Sequence, residues 1–125
     1  MNRGLLLFAH GARDPDWAGP FELVAQRVQQ LRPDAVVRLG FLEFMRPSLA
    51  EAADSLLQLG CLSIDVMPLF LGQGGHVRKD LPLLLDALRR KHPQVGFTLH
   101  PAIGEMGSVI EAMALAAAGK LDGGL

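Results

Sequence analysis

The sequence predicts an α/β fold, an open parallel four-stranded sheet with helices on both faces. Four apolar runs of strand length alternate with four segments whose apolar residues recur at helical spacing. Two elements of one kind never follow each other, which is the signature of repeated βα units and a parallel sheet. A side chain able to hold a metal also stands at or just past each strand end: His10, Glu43, His76 and His100.

Taken in order, Leu5–Ala9 is a continuous apolar run closed by His10-Gly11. Phe21, Val24, Val28 and Leu31 then fall on one helical stripe, and Asp14-Pro15-Asp16-Trp17-Ala18 reads as the entry to that helix, with Trp17 packing rather than binding. Arg32-Pro33-Asp34 ends the helix, and Ala35–Phe41 is a second strand rich in branched residues. Pro47 suits the first turn of a second helix, whose stripe is Leu49, Ala53, Leu56 and Leu57, with Gly60 at its carboxyl cap.

Leu62–Leu71 is the third strand, running into the glycine-rich turn Gly72–Gly75 that presents His76. The third helix is expected to begin near Asp80-Leu81-Pro82, with Asp80 as cap or first-turn acid. It continues through Leu84, Leu85 and Leu88 to Lys91-His92-Pro93, where His92 suits a solvated site on the helix dipole. Val95–His100 is a short fourth strand; Met106, Ile110, Met113 and Ala117 mark a last helix, and Lys120–Leu125 a frayed tail.

The chain of 125 residues, with 50% hydrophobic content, makes one domain over 1–125. A net charge of −1 gives no electrostatic footprint for nucleic acid or an anionic membrane, so neither is an expected partner. The lone Cys61 has no disulfide partner, and Leu5–Ala9 is too short for a signal segment or a membrane span, so a cytoplasmic location is expected.

The four side chains at the strand ends are each about one βα unit apart, which brings them toward one edge of the sheet, where ligands of open α/β sheets bind. Two or three of them could converge on one ion. Imidazole and carboxylate suit a borderline divalent metal such as iron, cobalt, nickel or zinc. A structural zinc site would add thiolates, which one cysteine cannot supply, so an open site is the better reading. Any one of these histidines alone is as well explained by a turn or a cap; their joint placement is the signal.

The run Leu71–His76 is not a phosphate cradle, because it lacks the Gly-Lys-Ser/Thr of a P-loop and has Val77 where a dinucleotide fingerprint needs glycine. Gly74 and Gly75 instead allow a ligand close to the backbone, or simply make a tight turn. Arg13, Arg46 and Arg78 lie beside the candidate ligands and would suit a substrate with several carboxylates. Lys79 is better read as surface charge.

These residues resemble those of the short-form sirohydrochlorin chelatases of siroheme, cobalamin and nickel-tetrapyrrole biosynthesis. Three segments carry the resemblance: His10-Gly11-Ala12-Arg13-Asp14-Pro15; Phe41-Leu42-Glu43 with Pro47-Ser48-Leu49; and Pro68–Leu71 through Gly75-His76-Val77 to Asp80-Leu81-Pro82. It implies a chelatase-like domain that inserts cobalt, iron or nickel into sirohydrochlorin without nucleotide hydrolysis, the metal being a substrate and no cofactor permanently bound. It implies His10 and His76 as metal-binding histidines, Glu43 as the acidic site residue, and a homodimer. Ala12 stands where family members often have serine, which removes a hydroxyl near the site. A metal or tetrapyrrole carrier is the alternative, separable by turnover. A histidine phosphatase ranks last, because Ala9 stands where its arginine would precede the histidine.

Overall fold

The computed structural model describes residues 2–72 and 74–123, and for His76 its backbone alone. Its elements are β1 (Asn2–Ala9), α1 (Gly19–Leu31), β2 (Ala35–Phe41), α2 (Leu49–Gln58), β3 (Cys61–Pro68), α3 (Gly75–Lys91), β4 (Gly96–Leu99) and α4 (Gly107–Gly119), with short 3-10 turns at Pro15–Ala18, Ile103–Glu105 and Lys120–Asp122. The strands pair in the order β2-β1-β3-β4, all parallel. The expected sheet is therefore present, with strand order reversing around the central β1.

β1 carries the fold because it is covered on both faces. Leu6 and Phe8 join Ile64, Val66, Leu56 and Leu85 in the larger core, under α2 and α3. Leu7 faces the other way, into a smaller cluster with Val37, Phe21, Ala25 and Val28, under α1. Consecutive buried residues in one strand are what a two-sided parallel sheet requires. Full burial of a side chain such as Phe8 or Leu6 contributes about 1.5–3 kcal/mol each, so this strand anchors whatever its end presents.

Local chemistry sets the helix starts. Asp14 caps the first 3-10 turn by accepting from the Asp16 N–H, and Trp17 packs on Phe21 with ring centroids 4.6 Å apart. Ser48 is the N-cap of α2, so Pro47 stands before the helix and not in its first turn: Ser48 accepts from the Glu51 N–H, and Glu51 accepts in return from the Ser48 N–H, a reciprocal capping box. Gly60 follows the cap in the left-handed region, with φ of 83°. In α1 the packed stripe is Phe21, Ala25 and Val28, whereas Val24 and Leu31 are exposed.

Three expectations are corrected. β3 stops at Pro68, and the apolar Leu69 and Phe70 bury themselves as a loop rather than as strand. α3 begins at Gly75, after Gly74 as N-cap, so His76 lies in its first turn instead of on a glycine turn before it. Asp80 and Pro82 are then interior to the helix; Pro82 is tolerated where the stretch around Arg78 is open to water, which can serve the carbonyl that loses its N–H partner. Third, α4 does not cover the sheet: none of its residues is buried, and Met106, Ile110 and Met113, expected as a core stripe, are 43%, 51% and 41% exposed. It packs chiefly on the 3-10 turns beside it, and the chain continues into the turn Lys120–Asp122. Of the expected frayed tail, residues 124 and 125 lie outside the described residues.

Candidate functional site

Two loops meet at the carboxyl edge of β1 and β2. The parallel ladder runs past the strand ends, with the Leu42 N–H donating to Ala9 C=O at 3.0 Å and the Glu43 N–H donating to His10 C=O at 3.2 Å. Gly11 makes this possible. Its φ is 92°, and a Cβ there would stand 2.0 Å from the Glu43 carbonyl oxygen, so only glycine lets the backbones touch. The result is that His10 Nε2 lies 3.1 Å from Glu43 Oε1.

Both side chains remain about half exposed, at 49% and 48%. Phe70, from the loop after β3, supports the imidazole edge-on with centroids 6.3 Å apart, and in turn packs on Phe8 at 5.9 Å. That loop is fixed by Gly104, whose N–H donates to Phe70 C=O at 2.9 Å and whose Cβ position would fall 2.2 Å from Leu71 O. An imidazole nitrogen and a carboxylate on an open ledge, backed by apolar packing, are donor types that suit a borderline divalent metal.

The backbone of His76 lies in the first turn of α3, the helix that follows β3. The expectation that its ring is a ligand lies outside the described residues. Among the described residues no three His, Cys, Asp or Glu side chains are placed to hold one ion.

His100 does not join the site. Val66 pairs with Leu99 and Leu7 with Met67, so continuing the register puts His100 level with Leu7, three residues short of His10. That is about 10 Å lower on the sheet at 3.3 Å per residue, and two strands across. There its Nε2 lies 2.9 Å from Asp65 Oδ1, on a carboxylate that also faces Arg3 at 3.4 Å. His92 is likewise not solvated. Its side chain is only 19% exposed, with Nε2 3.7 Å from Asp54 Oδ1 and no hydrogen-bond partner among the described residues.

The cations differ among themselves. Arg46 pairs with Glu51 through both nitrogens of its fork, and this pairing with the Ser48 N–H holds the Glu51 carboxyl down at about 2. Arg13 has no carboxylate partner among the described residues and lies over the Phe44 ring, 4.9 Å from its centroid. Arg78 is exposed on α3, and Gly74 and Gly75 have open space where side chains would stand. An apolar groove of about 370 Å³ runs along the β2 edge past Pro15, Ala18 and Phe41, but neither His10 nor Glu43 lines it.

Gly11, Phe44 and Phe70 carry weight at this site that sequence reasoning did not give them. For Gly11 the signal was present, since a glycine directly after a strand-end histidine is where a positive φ is expected.

The CbiX family model matches residues 4–118. The sirohydrochlorin cobaltochelatase of Saccharolobus solfataricus is 39% identical over 82 residues, 66% of this chain and 62% of that protein. That of Priestia megaterium is 27% identical over 111 residues, 89% of this chain and 36% of that protein. The chain thus covers less than two thirds of these curated relatives. In structure, a CbiX protein from Marinobacter aquaeolei superposes with a TM-score of 0.85 at 28% identity, covering 96% of this chain and 98% of that one. SirB from Bacillus subtilis with Fe3+ gives 0.80 at 22% identity, covering 92% of this chain and 46% of that one, a likeness of fold. With the family model matched across nearly the whole described sheet, the chain belongs to the CbiX family.

Proposed function

We propose that the protein is a sirohydrochlorin chelatase, inserting cobalt, iron or nickel as the divalent metal substrate into a polycarboxylate tetrapyrrole. The observation that carries this reading is the His10–Glu43 pair, an open imidazole-carboxylate ledge in a chain whose relatives are named cobaltochelatases. His10 and Glu43, with His76 as third ligand, hold the ion while its vacant positions face the macrocycle. The central nitrogens displace the remaining ligands, and the two pyrrole N–H protons pass to imidazole or carboxylate as the metal enters. Arg13, Arg78 and the outward N–H groups of Arg46 meet the peripheral carboxylates, and Gly74 and Gly75 leave room for the flat ring.

The working unit is a homodimer in the cytoplasm. α4 supports the dimer: a helix of 13 residues with no buried side chain is marginal in water by itself, since about 12–15 residues are needed even in favourable sequences. A second copy laid against Ile110, Met113 and Leu115 would bury surface that the monomer leaves open. No helix among the described residues is long and apolar enough to cross a membrane.

The test is anaerobic incubation with sirohydrochlorin and Co2+, Ni2+ or Fe2+, followed by the pigment's absorption. The expected result is acceleration over the protein-free control, continuing past one equivalent of product, with the relative initial rates identifying the preferred metal. Product formation that stops at one equivalent would favour a carrier, and no acceleration with any metal would refute the proposal.

A further inference from the structure

Phe44 follows Glu43 directly and occupies a conformation that an aromatic residue rarely adopts. Its φ is 65°, and the Met45 N–H donates across it to Glu43 C=O at 2.8 Å, closing a three-residue turn. Such a conformation is ordinarily given to glycine or asparagine, and an L side chain there is strained. Packing does not repay the strain, since Phe44 is 58% exposed. What the ring does touch is Arg13, whose guanidinium lies over it at 4.9 Å and lacks a carboxylate partner among the described residues.

Arg13 and Phe44 come from the two loops that supply His10 and Glu43, and Gly11 locks those loops together. A flat apolar surface and an unpaired guanidinium therefore share the ledge with the metal ligands. A guanidinium on an aromatic face keeps its edge N–H groups free to fork onto a carboxylate. A planar macrocycle bearing carboxylates around its rim presents both complementary features.

We infer that Phe44 is a substrate-positioning residue: its ring gives the macrocycle rim an apolar face and pins Arg13 where it meets a peripheral carboxylate. This rests on the chelatase reading. The inference also accounts for the strained turn, which exchanges local stability for a fixed aromatic edge beside Glu43.

The experiment measures steady-state cobalt insertion into sirohydrochlorin and thermal melting for wild type, F44G, F44W, R13Q and the R13Q/F44G double variant. F44G relieves the strain while removing the ring, so its melting temperature is expected at or above that of wild type while KM for the tetrapyrrole rises about fivefold or more. F44W is expected to keep KM within about twofold of wild type, because indole is the better cation-π partner. R13Q should raise KM by a similar factor, and the double variant no further than the larger single effect, as coupled residues do. An unchanged KM in F44G overturns the inference while the chelatase reading stands. So does a melting temperature lowered by more than about 5 °C, roughly a 1 kcal/mol loss for a chain of this size, which would make Phe44 a packing residue. Wild-type protein without insertion activity overturns the reading and the inference together.

Discussion

Two histidines end strands of the same sheet and meet different fates. His10, after central β1, lies on an open ledge against Glu43, held by the backbone ladder that Gly11 admits. His100, after edge strand β4, is turned onto Asp65 on a face of the sheet, level with Leu7 of β1 and three residues short of His10. Residue type and strand position are alike in the two; register and the neighbouring loop differ. A strand-end histidine becomes available for chemistry only where its strand reaches the edge and a second loop is locked beside it.

Exchanging the two histidines for alanine is the sharpest way to break that comparison. H10A is expected to lower cobalt insertion by about 100-fold or more, at least the loss typical for residues that merely support metal ligands, whereas H100A should retain activity within about twofold. Equal losses would place His100 in the site and undo the register argument. Next in size is G11A. It forces a Cβ into the Glu43 carbonyl at a positive φ, which costs about 1–2 kcal/mol before any clash is relieved. A lowered denaturation midpoint together with lost insertion is expected, and a variant matching wild type in both would contradict the locked-loop account.

The far end of the molecule supplies the third contrast. If α4 is the dimer face, I110E and M113E should shift the sedimentation mass toward the monomer while leaving the His10–Glu43 ledge folded, as judged by cobalt binding. A mass that the substitutions do not move would assign α4 elsewhere. The smallest effect belongs to Glu51. Its carboxyl is held near 2, against an ordinary 4.5, first by the Arg46 guanidinium and then by the Ser48 N–H. The folded chain therefore binds that proton less readily than the unfolded chain does. The stabilisation is fully present above about pH 4.5 and fades as pH falls toward 2. E51Q should lower the melting temperature at neutral pH and flatten its acid dependence across that window, and an unchanged slope would show that water screens the pair.

The βα alternation, the parallel sheet and the expected position of Glu43 beside His10 were legible because each follows from periodicity and chain order. The stagger of β4 was not, since strand ends carry no register label and His100-Pro101 reads as a terminus at any height. The run through Leu71 looked like strand because burial, not pairing, is what apolar composition reports; Leu69 and Phe70 are buried as loop. α3 began five residues before Asp80 because Gly74 serves as cap without a side chain, a start that leaves little trace in sequence. The exposure of α4 was hidden for the converse reason: an apolar helix reads alike whether its partner is its own sheet or another chain. Phe44 broke the local rule that keeps aromatic residues out of the left-handed region, and such breaks are found at functional sites.

The central claim, that His10 and not His100 holds the metal, is tested most directly by X-ray absorption of the Co2+-loaded protein. Outer-shell imidazole scattering is expected in wild type and undiminished in H100A, but reduced in H10A. Imidazole scattering that persists in H10A and falls in H100A would contradict the account.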